Sequence, residues 1–215
     1  MPGCNEGPGR FDSARDWHQY PRMRVSRALG ALFLRASGWR VEGRLPAGTR
    51  RAVVIACPHT TNWDLPYMLA VAYVLGIRPS WLGKKELFRW PLGWLMRVLG
   101  GIPVDRSKRS NVVEQAAGRL READELFLVI PPSGTRSRAP HWKSGFYHVA
   151  RTARVPLVCA FLDYERKVGG IGPVFVPSSD LGADMDRLRV FYRDIRGKYP
   201  DNETPIRLSE EDAAA

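Results

Sequence analysis

Apolar residues in this chain fall in short dense runs separated by turn-forming residues, and the runs alternate between strand and helix length. Arg51-Ala-Val-Val-Ile-Ala-Cys57 is dense in Val and Ile and closed by Pro58, which fits a strand buried in the middle of a parallel sheet. Residues 65–76 form a longer run rich in Ala and Leu, which predicts a core helix with Asn62 or Thr61 as its cap. Further strands are expected at 39–45, 80–83, 126–130, 157–162 and 169–176, with a short strand and turn at 100–107. Helices are expected at 22–36, 111–122, 142–154 and 184–198. The alternation predicts an α/β fold with a largely parallel central sheet flanked by helices, preceded by an N-terminal basic amphipathic helix. Residues 1–20 read as a flexible lead, 21–200 as a single domain, and 201–215 as a disordered acidic tail.

Composition changes the picture in one respect. A hydrophobic fraction of 44% and a charged fraction of 26% are ordinary for a globular protein. The balance of 33 Lys and Arg against 22 Asp and Glu, however, gives a net charge of +11, which calls for an anionic partner such as nucleic acid, acidic lipid or a phosphorylated substrate. In the first helix Met23, Leu29, Leu32, Phe33 and Leu34 are interleaved with Arg22, Arg24, Arg27 and Arg35, a composition that suits either an anionic bilayer or packing on the protein's own surface. The aromatic stretch 88–99 fits core, an acyl-chain channel or a membrane interface.

No run reaches the roughly 18 to 20 apolar residues of a spanning helix, and the Gly- and Pro-rich start lacks the apolar core of a signal peptide. The expected location is the cytoplasm, peripherally attached to the membrane face. Cys4, Cys57 and Cys159 are too widely spaced to indicate a disulfide framework or a zinc site.

The candidate chemistry sits where the buried strand gives way to the core helix. His59 and Asp64 are five apart, so Asp64 can accept the Nδ1 proton of His59 and leave Nε2 free to deprotonate a hydroxyl. The alternative is structural: a carboxylate favoured at a helix N-terminus and a turn histidine bonded to backbone. A second turn, at 131–138, places Gly134 and Arg136 after a buried strand, where amides and a guanidinium can hold one anion. A metal-dependent hydrolase using His59, Asp64, His141 and His148 is disfavoured, because the last two are seven apart, about two helical turns. A nucleic-acid binder would suit the charge, but no zinc finger, helix-turn-helix or aromatic-basic RNA motif is present, so no nucleic-acid partner is expected.

Taken in order, four segments resemble the glycerolipid acyltransferase family that includes 1-acylglycerol-3-phosphate acyltransferase. The family's H-x4-D signature matches His59 and Asp64. Gly101-Ile-Pro-Val-Asp-Arg106 resembles the second signature, and Pro132-Ser133-Gly134-Thr135-Arg136-Ser137 the third, usually P-E-G-T-R-S. Val155-Pro156-Leu157-Val158 is similar to the fourth.

The resemblance implies transfer of a fatty acyl group from acyl-coenzyme A or acyl-acyl carrier protein to a lysophospholipid hydroxyl, in phospholipid biosynthesis, with no covalent acyl-enzyme and no bound cofactor or metal. It implies that His59 is the general base and that Asp64 orients it. Lys84, Arg106 and Arg136 would hold the acceptor's phosphate, in a site shared with Ser133, Gly134 and Thr135, and an amide of that turn could serve as oxyanion donor. Ser133 departs from the pattern, because the family ordinarily has Glu there. This leaves open a non-glycerophosphate acceptor such as a glycolipid, and a non-catalytic protein bound to anionic membranes.

Overall fold

The computed structural model describes residues 21–91, 93–104 and 109–212. The proposed lead, residues 1–20, lies outside them. The helices are α1 (Pro21–Ala36), α2 (Asp64–Leu75), α3 (Gly93–Val98), α4 (Arg109–Glu122), α5 (Gly145–Ala153), α6 (Leu181–Tyr192) and the short α7 (Ser209–Asp212). The strands are β1 (Arg40–Glu42), β2 (Arg51–Ala56), β3 (Pro79–Lys84), β4 (Gly101–Val104), β5 (Leu126–Ile130), β6 (Leu157–Asp163) and β7 (Val168–Phe175). They form one sheet in the order β1-β7-β6-β2-β5-β3-β4. Every neighbouring pair is parallel except the β6–β7 hairpin. The expected α/β class with a largely parallel sheet is therefore the observed one.

The centre of the sheet explains the apolar run that predicts it. Val53 and Ile55 of β2 join a cluster with Ala116 of α4, Phe146 of α5 and Met185 of α6. Ala52 and Val54 belong to a second cluster that includes Ala72 of α2. Alternate residues thus enter two cores, so neither face of β2 between Ala52 and Ile55 has a place for a polar side chain. Each fully buried Val or Ile contributes roughly 1.5–3 kcal/mol relative to an exposed one. At the sheet edge β4 tolerates Pro103, which cannot donate to a ladder. Helix α2 stops at Gly76, whose φ of 77° is the left-handed geometry glycine supplies without strain, and the Ile77 amide closes the cap on the Ala72 carbonyl at 2.7 Å.

Five expectations need correction. Neither Asn62 nor Thr61 caps α2; Trp63 occupies that position with no side-chain cap bond, and the Asp64 carboxylate reaches back to the preceding amides instead. The strand expected at 39–45 shortens to β1, and its Trp39 turns into a cluster with Leu34 and Val71. Helix α6 begins earlier than expected, because the Asp180 carboxylate accepts from the Ala183 amide at 3.0 Å, and it ends at Tyr192.

The remaining corrections concern the expected tail, whose residues 201–212 pack on the domain, and the start of α5. Leu208 is fully buried and Ile206 packs on the main core, while Trp142 bridges to Leu208 and its amide donates to the Arg207 carbonyl at 2.8 Å. Ile206 and Leu208 anchor this segment, and Glu211 pairs with Arg189 beside them. Because Trp142 is engaged this way, α5 starts only at Gly145.

Helix α1 packs on α2, with Gly30 against the Ala70 backbone and Leu34 buried. Of its other described apolar residues, Val25, Leu29 and Leu32 remain exposed, while Phe33 meets the Tyr67 ring. No helix among the described residues is long and apolar enough to cross a membrane.

Candidate active site

In a parallel sheet the strands all end at one edge, and the loops that leave them there are neighbours. Strands β2 and β5 are paired so that Ile55 lies opposite Ile130. The turn carrying His59 and the turn carrying Ser133 therefore emerge side by side. Strand β3 pairs with β5, and its last residue, Lys84, is opposite Val104 of β4. The Lys84 side chain, and Arg106 beyond β4, lie outside the described part of the structure. The first, second and third sequence motifs thus arise from strand ends at the same edge. The fourth does not: Val155 and Pro156 precede β6 at the opposite edge, where the Pro156 carbonyl accepts from the Val53 amide at 3.0 Å. That motif is part of the packing.

The turn after β2 is tightly held. Nδ1 of His59 lies 3.0 Å from Oδ2 of Asp64. The amides of Thr60 and Thr61 donate to the same oxygen at 2.9 and 3.1 Å, and the Tyr164 hydroxyl donates to Oδ1 at 2.8 Å. A carboxylate can only accept, so Nδ1 is the donor to it, and in a neutral imidazole so held the lone pair sits on Nε2. Asp64 is 5% exposed, and its position in the first turn of α2 adds the favourable end of the helix dipole. The segment after α6 braces the turn from outside: the Tyr199 amide donates to Oγ1 of Thr60 at 3.3 Å. There Gly197 lies so near Thr60 that a Cβ would come within 2.8 Å of Oγ1.

The turn after β5 is built differently. Ser133 is buried, and its hydroxyl donates to the Thr135 carbonyl at 2.7 Å within the same turn. Gly134 has a φ of 65°, and Thr135, Arg136 and Ser137 are exposed. A small cavity joins this turn to the other, lined by His59, Pro132, Ser133, Tyr192, Glu203 and Thr204 among others. Its volume of about 30 Å³ admits little more than a water molecule.

Two residues missed in the sequence belong here. Tyr164 lies 100 positions from Asp64, and Glu203 comes from the expected tail. Glu203 brings a carboxylate to the cavity that Ser133 lines, with its Oε1 accepting from the Gly197 amide at 2.6 Å. Cys57, two residues before His59, is not a nucleophile in waiting. Burial first, then the Glu203 charge, push its thiol well above the ordinary range and keep it protonated. His141 is half-buried and His148 exposed, and no group of His, Cys, Asp and Glu among the described residues is placed to hold a metal ion.

The site can be set beside known proteins. Residues 39–162 match the model of a family described as Acyltransferase. An uncharacterized acyltransferase of Schizosaccharomyces pombe is 28% identical over 129 residues, covering 56% of this chain and 45% of that protein. The 1-acyl-sn-glycerol-3-phosphate acyltransferase of Streptococcus pneumoniae is 30% identical over 110 residues, covering 49% of this chain and 39% of that one. The chain thus spans under half the length of these relatives. In fold it is similar to the crystal structure of the 1-acyl-sn-glycerophosphate (LPA) acyltransferase PlsC from Thermotoga maritima, with a TM-score of 0.54 and 18% identity over 80% of this chain and 75% of the other.

Proposed function

Because the chain belongs to the acyltransferase family, we propose that it transfers a fatty acyl group from a coenzyme A or acyl carrier protein thioester to a lysophospholipid-like hydroxyl, with His59 as general base. The observation that carries this reading is the 3.0 Å pair of His59 and Asp64 beside the turn of the third motif. Nε2 of His59 takes the proton from the acceptor hydroxyl as its oxygen attacks the thioester carbonyl. The tetrahedral intermediate collapses by breaking the carbon–sulfur bond, and the imidazolium returns its proton to the departing sulfur. Asp64 holds the tautomer and offsets the imidazolium charge. The protonated Cys57 thiol supports direct transfer over an acyl-enzyme.

Lys84, Arg106 and Arg136 are assigned to the acceptor's phosphate, and the net charge of +11 draws the protein to an anionic membrane surface. Two exposed apolar patches serve that attachment: Val25, Leu29 and Leu32 of α1 beside the exposed Arg27 and Arg35, and Trp90 with Trp94 and Val98 around α3. On this reading the aromatic stretch divides, since Phe88 is buried whereas Trp90 is 93% exposed. Ser133, where the family ordinarily has Glu, supports a second reading of the acceptor alone, a lipid other than a glycerophosphate.

The test is thiol release from acyl-coenzyme A and from acyl carrier protein, with lysophosphatidic acid, other lysophospholipids and unphosphorylated glycolipids as acceptors. Acceptor-dependent release by the wild type, lost in His59→Ala, is expected. Release at the wild-type rate by His59→Ala would remove the general base. No release from either donor with any acceptor would leave a membrane binder.

A further inference from the structure

Asp64 presents two oxygens, and they are held unequally. Oδ2 takes His59 Nδ1 and the two amides of its own turn, all contacts within five residues. Oδ1 takes, among the described residues, the hydroxyl of Tyr164 at 2.8 Å. Both oxygens lie off the bond about which the carboxylate turns, so donors at either one restrain that rotation. A donor from a distant element at the second oxygen adds to that hold and ties the plane in which Oδ2 faces the imidazole to the sheet as well as to its own turn.

Tyr164 is itself well fixed. It follows the last residue of β6 in the hairpin to β7, so the sheet brings it to the edge where β2 ends. Its amide donates to the Arg196 carbonyl at 2.9 Å. Its ring stands edge-on to Trp39 at 4.9 Å and to Tyr67 at 5.8 Å between centroids. The titratable and charged groups around the hydroxyl are Asp64 and Tyr67 of α2, Tyr199 of the closing segment, and Lys167 and Lys198 lining the open cavity alongside. Burial, and then the Asp64 charge, push the phenol far above its ordinary range, so it stays a donor at every working pH.

We propose that Tyr164 is a positioning residue for the His59–Asp64 pair: its hydroxyl sets the Asp64 carboxylate plane and draws negative charge away from His59. The inference rests on the general-base reading of His59. Tyr164→Phe removes only the hydroxyl, and Tyr67→Phe removes a hydroxyl from the same aromatic cluster as a control.

In Tyr164→Phe, kcat should fall about tenfold with KM for donor and acceptor nearly unchanged, as for loss of a supporting hydrogen bond behind a catalytic group. The acid limb of the kcat/KM profile should move to higher pH, because a carboxylate without its phenol partner holds the imidazolium more strongly. The imidazole 15N resonances of His59 should shift in the resting protein. Tyr67→Phe should change none of these. Wild-type kcat in Tyr164→Phe, or a reduced kcat with an unmoved pH profile and unmoved His59 resonances, would overturn the proposal. The resonances are read without turnover, so they report on Tyr164 even if His59→Ala proves active and the general-base reading fails.

Discussion

The two turns that meet at the carboxyl edge of the sheet are held in opposite ways. The turn after β2 is closed: Asp64 is buried, receives donors at both oxygens, and is braced by Tyr164 and by the segment near Tyr199. The turn after β5 is open: beyond Ser133 its residues are exposed, and its side-chain hydrogen bonds run within the turn. A base must hold its geometry before substrate arrives, since orientation set in advance costs nothing during the reaction. A binding turn has no such demand and gains from exposure to the ligand it recognises. The contrast fits the proposal that the first turn carries the chemistry and the second recognises the acceptor.

The comparison can be broken most severely at the closed turn. His59→Ala should lower kcat on the order of 10³-fold with the fold intact, measured by thiol release alongside circular dichroism. Asp64→Asn should lower kcat about 10²-fold by offering the imidazole the wrong partner. It should also lower the melting temperature, because an amide nitrogen cannot accept from the donors that surround this buried group. If Asp64→Asn kept full activity, the closed turn would be structural only.

At the open turn the effects should be smaller and of another kind. Arg136→Ala should raise the acceptor KM about tenfold and leave kcat within about twofold, in steady-state kinetics with a phosphorylated acceptor. The smallest effect is expected for Ser133→Ala, which removes one hydrogen bond inside the turn. It should cost about 1 kcal/mol in denaturant unfolding with little change in kcat. A large fall in kcat there would mean that the second turn takes part in the chemistry.

The fold class was legible because both faces of β2 are buried. That burial produces an unbroken apolar run, whichever helices happen to cover it. The pair of His59 and Asp64 was legible too, since it is made within one strand-to-helix turn and depends on local spacing. The packing of residues 201–212 was not. A single buried Leu208 and a single ion pair at Glu211 carry no periodic signal, and the acidic composition around them reads as disorder.

By itself, then, the sequence determined what short stretches of chain decide: the central strand, the helix that ends at Gly76, and a histidine five residues before its carboxylate partner. Only the tertiary structure decided which distant groups complete the site. Tyr164 reaches Asp64 across 100 positions because β6 lies beside β2 and turns back into β7 at the right edge. Glu203 enters the cavity of Ser133 because α6 stops at Tyr192 and releases the chain toward Thr60. A hydrogen bond is made by proximity in space, and strand order, which no local pattern encodes, sets that proximity.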